Sequence, residues 1–171
     1  MIIDLKHIFV NDNSSLPIDY ALDLSDVEYS GAFPLKKPVT IQGSVTNKAS
    51  LVRLKASIDY EFETGCDRCG IPTSRKHTIT VSKSLAPSIE GEESETILLV
   101  PDMKFDLDEF LYSEVIVNLP MKHLCKEDCK GICFKCGKNL NEGKCDCPEK
   151  EIDPRLSVLA ELLKNNDETS T

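Results

Sequence analysis

The sequence offers little for catalysis and nothing long enough to cross a bilayer as a helix. No run of about 18 apolar residues occurs, although 40% of the chain is hydrophobic and can supply a core. Histidine is scarce. His7 and His77 stand in segments that read as strands, without an acid–base constellation around them, and His123 alone lies beside a cysteine cluster. No serine or cysteine nucleophile arrangement and no glycine-rich phosphate loop is present. Aromatic residues make up 6% of the chain, which leaves little for stacking on bases. Positive charge is also short: 20 Lys and Arg face 29 Asp and Glu, a net charge of −9. That balance argues against a simple phosphate-backbone binder. The N-terminus lacks the basic, apolar and small-residue succession of a signal peptide, so a cytosolic location is expected, where disulfides are disfavoured.

What the chain does have is cysteine. Six of its eight cysteines fall in the 23-residue stretch Cys125–Cys147, and the other two stand upstream as Cys66-Asp-Arg-Cys69. The downstream stretch has hardly any bulky apolar residue, and segments below about 40 residues need a metal, disulfides or a partner to fold. In a reducing compartment the closely spaced thiols point to metal. Cys66-x-x-Cys69-Gly70 and Cys133-x-x-Cys136-Gly137 share one form, in which two sulfurs reach one ion and the glycine allows a turn with positive φ. With Cys125, Cys129, Cys145 and Cys147 there are eight potential ligands, enough for two structural zinc ions.

Local spacing groups Cys133, Cys136, Cys145 and Cys147 as a ribbon-like site and leaves Cys66, Cys69, Cys125 and Cys129 as a second. Cross-pairings, and a single zinc with spare thiols, stay open at this stage. His123 reads as a surface imidazole or as a group behind the ligands. An open catalytic zinc usually carries His or carboxylate among its ligands, so no enzyme is expected.

The fold class expected is α+β: an antiparallel β-sheet, open or closing towards a barrel, with one long helix, a C-terminal cysteine-rich zinc-binding module and a terminal helix. Val39–Thr46 alternates as a strand before a turn at Asn47-Lys48-Ala49. Val52, Leu54, Ala56, Ile58, Tyr60 and Phe62 alternate with polar residues, and His77–Leu85 repeats the pattern, so these two strands should pair antiparallel with Cys66–Cys69 at their connection. Thr96–Val100 reads as a further short strand. Asp106 is a candidate N-cap with Glu109 three residues on, and Phe105 and Phe110 stand at hydrophobic-staple positions. The expected organisation is a β-rich domain over 1–120 with a helix near 106–118, a zinc module over 121–150, and a helix and tail over 151–171, opened by Asp153-Pro154. Residues 1–37 carry no clear pattern.

Charge is uneven. Between Glu90 and Glu114 nine acids face the single base Lys104, a window suited to a basic partner.

The chain resembles the YceD family, the bacterial large ribosomal RNA subunit accumulation proteins. The likeness rests on Cys66-Asp-Arg-Cys69 after an alternating strand and on Glu114-Val-Ile-Val-Asn-Leu-Pro120 closing a helix. Cys125-Lys-Glu-Asp-Cys129-Lys-Gly-Ile-Cys133 then leads into Cys136-Gly-Lys-Asn-Leu-Asn, and Asp153-Pro-Arg-Leu-Ser-Val-Leu completes it. It spans residues 38–164, with a loose match before that, and the cysteine-rich extension is similar to the form of Gram-positive bacteria. The resemblance implies a non-enzymatic role in ribosome biogenesis, in the accumulation or processing of large-subunit ribosomal RNA. The partner implied is a ribosomal protein or an RNA-processing factor, a basic one being favoured, with ribosomal RNA itself as a further candidate and no membrane. Two other readings are direct RNA binding by the zinc module, through Lys130, Lys135, Lys138 and Lys144 with Phe134, and a redox-switched zinc protein.

Overall fold

A computed structural model describes residues 1–88 and 96–147. The expected terminal helix from Asp153, and the acids from Glu90 to Glu95, lie outside the described residues. Two compact units are formed, residues 1–129 and a second beginning at Lys130. The described chain is mostly sheet with few helices.

In chain order the first unit contains β1 (Ile2–Asp4), α1 (Lys6–Val10), β2 (Ser15–Leu22), β3 (Val39–Lys48), β4 (Leu51–Gly65), β5 (Pro72–Ala86), β6 (Ile97–Leu99), β7 (Lys104–Asp106) and α2 (Leu107–Val117). A five-stranded sheet has the order β2-β3-β4-β5-β6, and β1 pairs with β7 separately. The long pairings β2–β3, β3–β4 and β4–β5 are antiparallel, the last as the alternation predicts, but β6 joins β5 in parallel, opposite Ser84–Ala86. Residues 1–37, unreadable from pattern, form β1, α1 and β2. His7 lies in α1 rather than in a strand.

The register sets the two faces. Ile41 opposes Ile58, Val45 opposes Leu54, and Ile58 opposes Ile79; the first four join one buried cluster, against which the partly buried Ile79 packs, with Leu5 and Ile8 from the α1 region and with Leu107, Phe110, Leu111 and Val115 of α2. The α2 positions recur at helical spacing, so one stripe of the helix meets the core. Asp106 caps it, its carboxylate accepting from the Asp108 and Glu109 N–H groups at 3.0 and 3.3 Å. The Phe105 and Phe110 rings meet at 5.2 Å, as the staple requires. At the helix end, Tyr60 donates its hydroxyl to the Asn118 carbonyl at 2.9 Å.

Gly43 sits opposite Ala56. A Cβ there would run into the Lys55 carbonyl and the Ala56 backbone, so only glycine lets β3 and β4 approach this closely. The β3–β4 turn is Ala49-Ser50, one step later than expected. Both residues have positive φ, 52° and 62°, the two-residue geometry that fits the twist of a hairpin.

Candidate metal centres

The first cysteine cluster is built where β4 turns into β5. The Cys66 N–H donates to the Ile71 carbonyl at 2.9 Å and the Gly70 N–H to the Cys66 carbonyl at 2.8 Å. Gly70 takes φ 72° to close the turn. The chain returns after α2 to bring Cys125 and Cys129 against it: Cys66 Sγ lies 3.8 Å from Cys129 Sγ, and Cys69 Sγ lies 3.6 Å from Cys125 Sγ.

The second cluster repeats the local geometry without a sheet beneath it. Cys133 N–H donates to the Lys138 carbonyl at 2.8 Å and Gly137 N–H to the Cys133 carbonyl at 2.9 Å, with Gly137 at φ 73°. Cys145 and Cys147 complete the group. A single bridge between Ile132 and Asn139, and Lys130 N–H on Asn141 Oδ1 at 2.9 Å, hold the loop.

In each group the four sulfurs lie within 4.8 Å of one another. Four thiolates about 2.3 Å from a tetrahedral zinc stand roughly 3.8 Å apart, so the 3.8 and 3.6 Å separations of the first group suit such an ion. All-sulfur donor sets select zinc or iron–sulfur chemistry among the common metals. The eight predicted cysteines thus come together as Cys66, Cys69, Cys125, Cys129 and as Cys133, Cys136, Cys145, Cys147, two groups that could each hold a metal ion.

The protonation pattern fits a cation. Burial works to raise the Cys66 thiol, yet the N–H groups of Cys125, Arg68 and Cys69 bring it down to about 6. The N–H groups of Cys136 and Lys135, with the Cys145 thiol, bring Cys133 to about 6. Burial and the neighbouring thiols Cys129, Cys69 and Cys66 push Cys125 up to about 12, and Cys136, burial and Cys133 do the same to Cys147. The turn amides thus favour a thiolate at one position of each group and accumulated negative charge opposes ionisation at another, so a divalent cation relieves the conflict.

Arg68, Arg75 and Asp67, around the first group, escaped the sequence reading, whereas His123 takes the second of the two places open to it, behind the ligands. Arg68 donates Nη1 to the Cys129 carbonyl at 2.7 Å, and Arg75 Nη2 reaches the Cys125 carbonyl at 3.5 Å. Asp67 and His123 are tied twice: Asp67 N–H donates to the His123 carbonyl at 2.9 Å, and His123 N–H donates to Asp67 Oδ2 at 2.7 Å. His123 is no surface imidazole. It is 3% exposed, its ring 5.2 Å from that of Phe62 and its Nε2 3.1 Å from the Thr73 carbonyl. The Asp-Arg pair inside Cys66-Asp-Arg-Cys69 was the available signal, since a charged pair within a metal turn has neighbouring backbone to bind.

The family described as "Large ribosomal RNA subunit accumulation protein YceD" matches residues 54–163. The chain belongs to the YceD family. Its relatives include the chloroplastic large ribosomal RNA subunit accumulation protein YCED homolog 1 of Arabidopsis thaliana, 26% identical over 76% of this chain and 50% of the relative. Uncharacterized protein YlbN of Bacillus subtilis is 25% identical over 77% of this chain and 78% of that one. A Mycobacterium tuberculosis chain is 28% identical over 61% of this chain and 52% of its own length. The chain therefore spans about half the length of the plant and mycobacterial relatives and most of YlbN. No solved structure matches it. The YceD match covers both cysteine groups, from Cys66 to Cys147.

Proposed function

We propose that this protein is a non-enzymatic ribosome-biogenesis factor that supports accumulation or processing of large-subunit ribosomal RNA from the cytoplasm. It works through protein contacts at an acidic surface, on a frame held by two structural zinc ions. The family match carries the biological role, and the family is named for RNA accumulation rather than for an enzymatic activity. Cys66, Cys69, Cys125 and Cys129 hold one zinc; Cys133, Cys136, Cys145 and Cys147 hold the other. Zinc bound by four thiolates supplies folding energy and no open position for a substrate. The organisation proposed from sequence, 1–120, 121–150 and 151–171, stays as the functional division, with Cys125 and Cys129 tying the start of the second segment to the hairpin of the first.

The acidic surface has a shaped part. Between β6 and α2 lies a groove of about 300 Å³, with Leu98, Leu99, Phe105 and Phe110 on its walls and Asp106, Glu109 and Glu114 beside them. Apolar walls with an acidic rim suit a basic segment carrying an apolar residue, and opposite potentials speed encounter and suppress wrong partners. RNA binding by the zinc module draws less support, because Lys138 Nζ is engaged by the Lys144 carbonyl at 2.9 Å.

Tagged protein returned to cells that lack the gene, captured at moderate salt, should bring down large-subunit precursors or their proteins. Glu109→Gln with Glu114→Gln should weaken capture and its salt dependence. Capture unaffected by both salt and these substitutions would refute the acidic surface.

A further inference from the structure

We propose that the solvent face of the sheet, at the β3–β4 hairpin, binds the phosphate backbone of single-stranded RNA through Lys48, Arg53 and Lys55. This surface is distinct from the acidic groove and from the cysteine groups, and it adds an RNA contact to the protein-binding reading above.

The register places the three cations on one face. Thr46 opposes Arg53, Ser44 opposes Lys55, and Lys48 opposes Leu51 beside the turn. On the next strand Ser84 and Ser82 stand opposite Arg53 and Lys55. All three cations are exposed, whereas their neighbours Val52, Leu54 and Ala56 are buried on the core side. Arg53 and Lys55, two residues apart on one strand, lie about 7 Å from each other, a spacing comparable to that of successive phosphates on a strand. Thr46, Lys48, Leu51, Arg53 and Lys55 together line a shallow depression of about 370 Å³.

The other half of the same face supplies the contrast. There Lys36 pairs with Glu63 at 2.5 Å and Lys37 with Glu61 at 2.7 Å, while Ser74 also donates to Glu61 at 2.6 Å. Those charges are neutralised within the sheet. Lys48, Arg53 and Lys55 enter no ion pair among the described residues. Along β4 the next acid on this face is Asp59, roughly 13 Å beyond Lys55 at strand rise, more than a Debye length at physiological salt. A chain with nine surplus acids leaves three cations uncompensated by any described residue at one end of one face, amid hydroxyls that can donate to phosphate oxygens. Few aromatics line this end, so the contact reads the backbone and not the bases.

The test measures binding of a short single-stranded RNA oligonucleotide to the full chain, by filter retention across a salt series. Lys48→Gln/Arg53→Gln/Lys55→Gln should bind about tenfold or more weakly, and the slope of log affinity against log salt should shrink by about 2, three phosphate contacts at about 0.7 each. Lys36→Gln/Lys37→Gln removes two charges from the neutralised half and should leave the slope unchanged. Equal weakening by both variants would show that net charge alone governs binding and would overturn the site. So would loss of binding with Lys130→Gln/Lys135→Gln/Lys144→Gln instead, or equal competition by polyglutamate, which would assign the surface to an acidic protein. Wild-type chain that captures ribosomal proteins but binds no RNA overturns this inference alone; RNA binding without any ribosomal capture from cells would count against the proposed function instead. Unaltered circular dichroism of the triple variant excludes misfolding as the cause.

Discussion

The two cysteine groups have the same turn and different surroundings. Around Cys66 the turn is the end of two fifteen-residue strands, and Cys66 and Cys129 are buried. Around Cys133 the turn has one isolated bridge for company, Cys136 is exposed, and Phe134 is 89% exposed. The buried hydrophobic cluster runs from Leu5 to Leu119 and includes no residue of the second group's segment. Equal ligands therefore carry unequal structural weight. The first ion would fasten a segment onto a frame that the sheet already holds, whereas the second would be nearly the whole reason its segment folds.

The largest effect should come from Cys136→Ser. Structural zinc contributes about 10–16 kcal/mol of apparent binding energy in small modules, and among the described residues the segment from Lys130 to Cys147 adds nothing to the buried hydrophobic cluster. Loss of dispersed amide signals there, with the sheet signals unchanged, is the expected heteronuclear NMR result. Cys66→Ser should also lose one equivalent of zinc, yet leave β2–β5 intact and loosen only the segment around Cys125–Cys129. Identical damage from the two variants would break the comparison and show the eight sulfurs to be one unit.

A smaller effect sharpens it. Arg68→Ala removes a charge-assisted bond to the Cys129 carbonyl, worth about 1.5–3 kcal/mol. Competition with a colorimetric chelator should show faster zinc release from the first group alone, and acceleration at both groups would contradict their independence.

A pH effect in zinc-free protein tests the turn amides themselves. Cys66 is depressed to about 6 from its ordinary 9.0, so its contribution to the folded state is complete above about 9, declines between 9 and 6, and is absent below 6. Cys125 is raised to about 12; above 9 the unfolded thiol ionises while the folded one does not, which lowers stability. Denaturation midpoints followed on the sheet should therefore rise from pH 6 to a maximum near 9 and then fall. A flat profile would remove the thiolate-stabilising role of the Cys66 turn.

How much could be read beforehand depended on the range of the forces. Short-range patterns were legible: the alternation of Val52 to Phe62, the Asp106 cap, and glycine at positive φ after each Cys-x-x-Cys. The one-residue shift of the Ala49-Ser50 turn was not, because two residues without glycine at positive φ give no local signal. β6 was located within a residue at each end, but its parallel partner was hidden, since strand pairing depends on partners distant in sequence. Of the two places open to His123, surface or behind the ligands, the sequence could not choose, for the same reason. Its burial comes from Phe62 and Thr73, more than 45 residues away by number.

The sequence by itself determined that eight closely spaced thiols, four of them in two repeated Cys-x-x-Cys turns, could ligate metal, and that one face of each long strand must be apolar. Both follow from ligand chemistry and from period-two geometry, which are local. Only the tertiary structure decided that Cys125 and Cys129 close on Cys66 and Cys69, that β1 pairs with β7, and that three cations without an ion pair among the described residues share one end of the sheet. Those are products of register and chain return, where residues far apart in sequence become neighbours through burial of a common core.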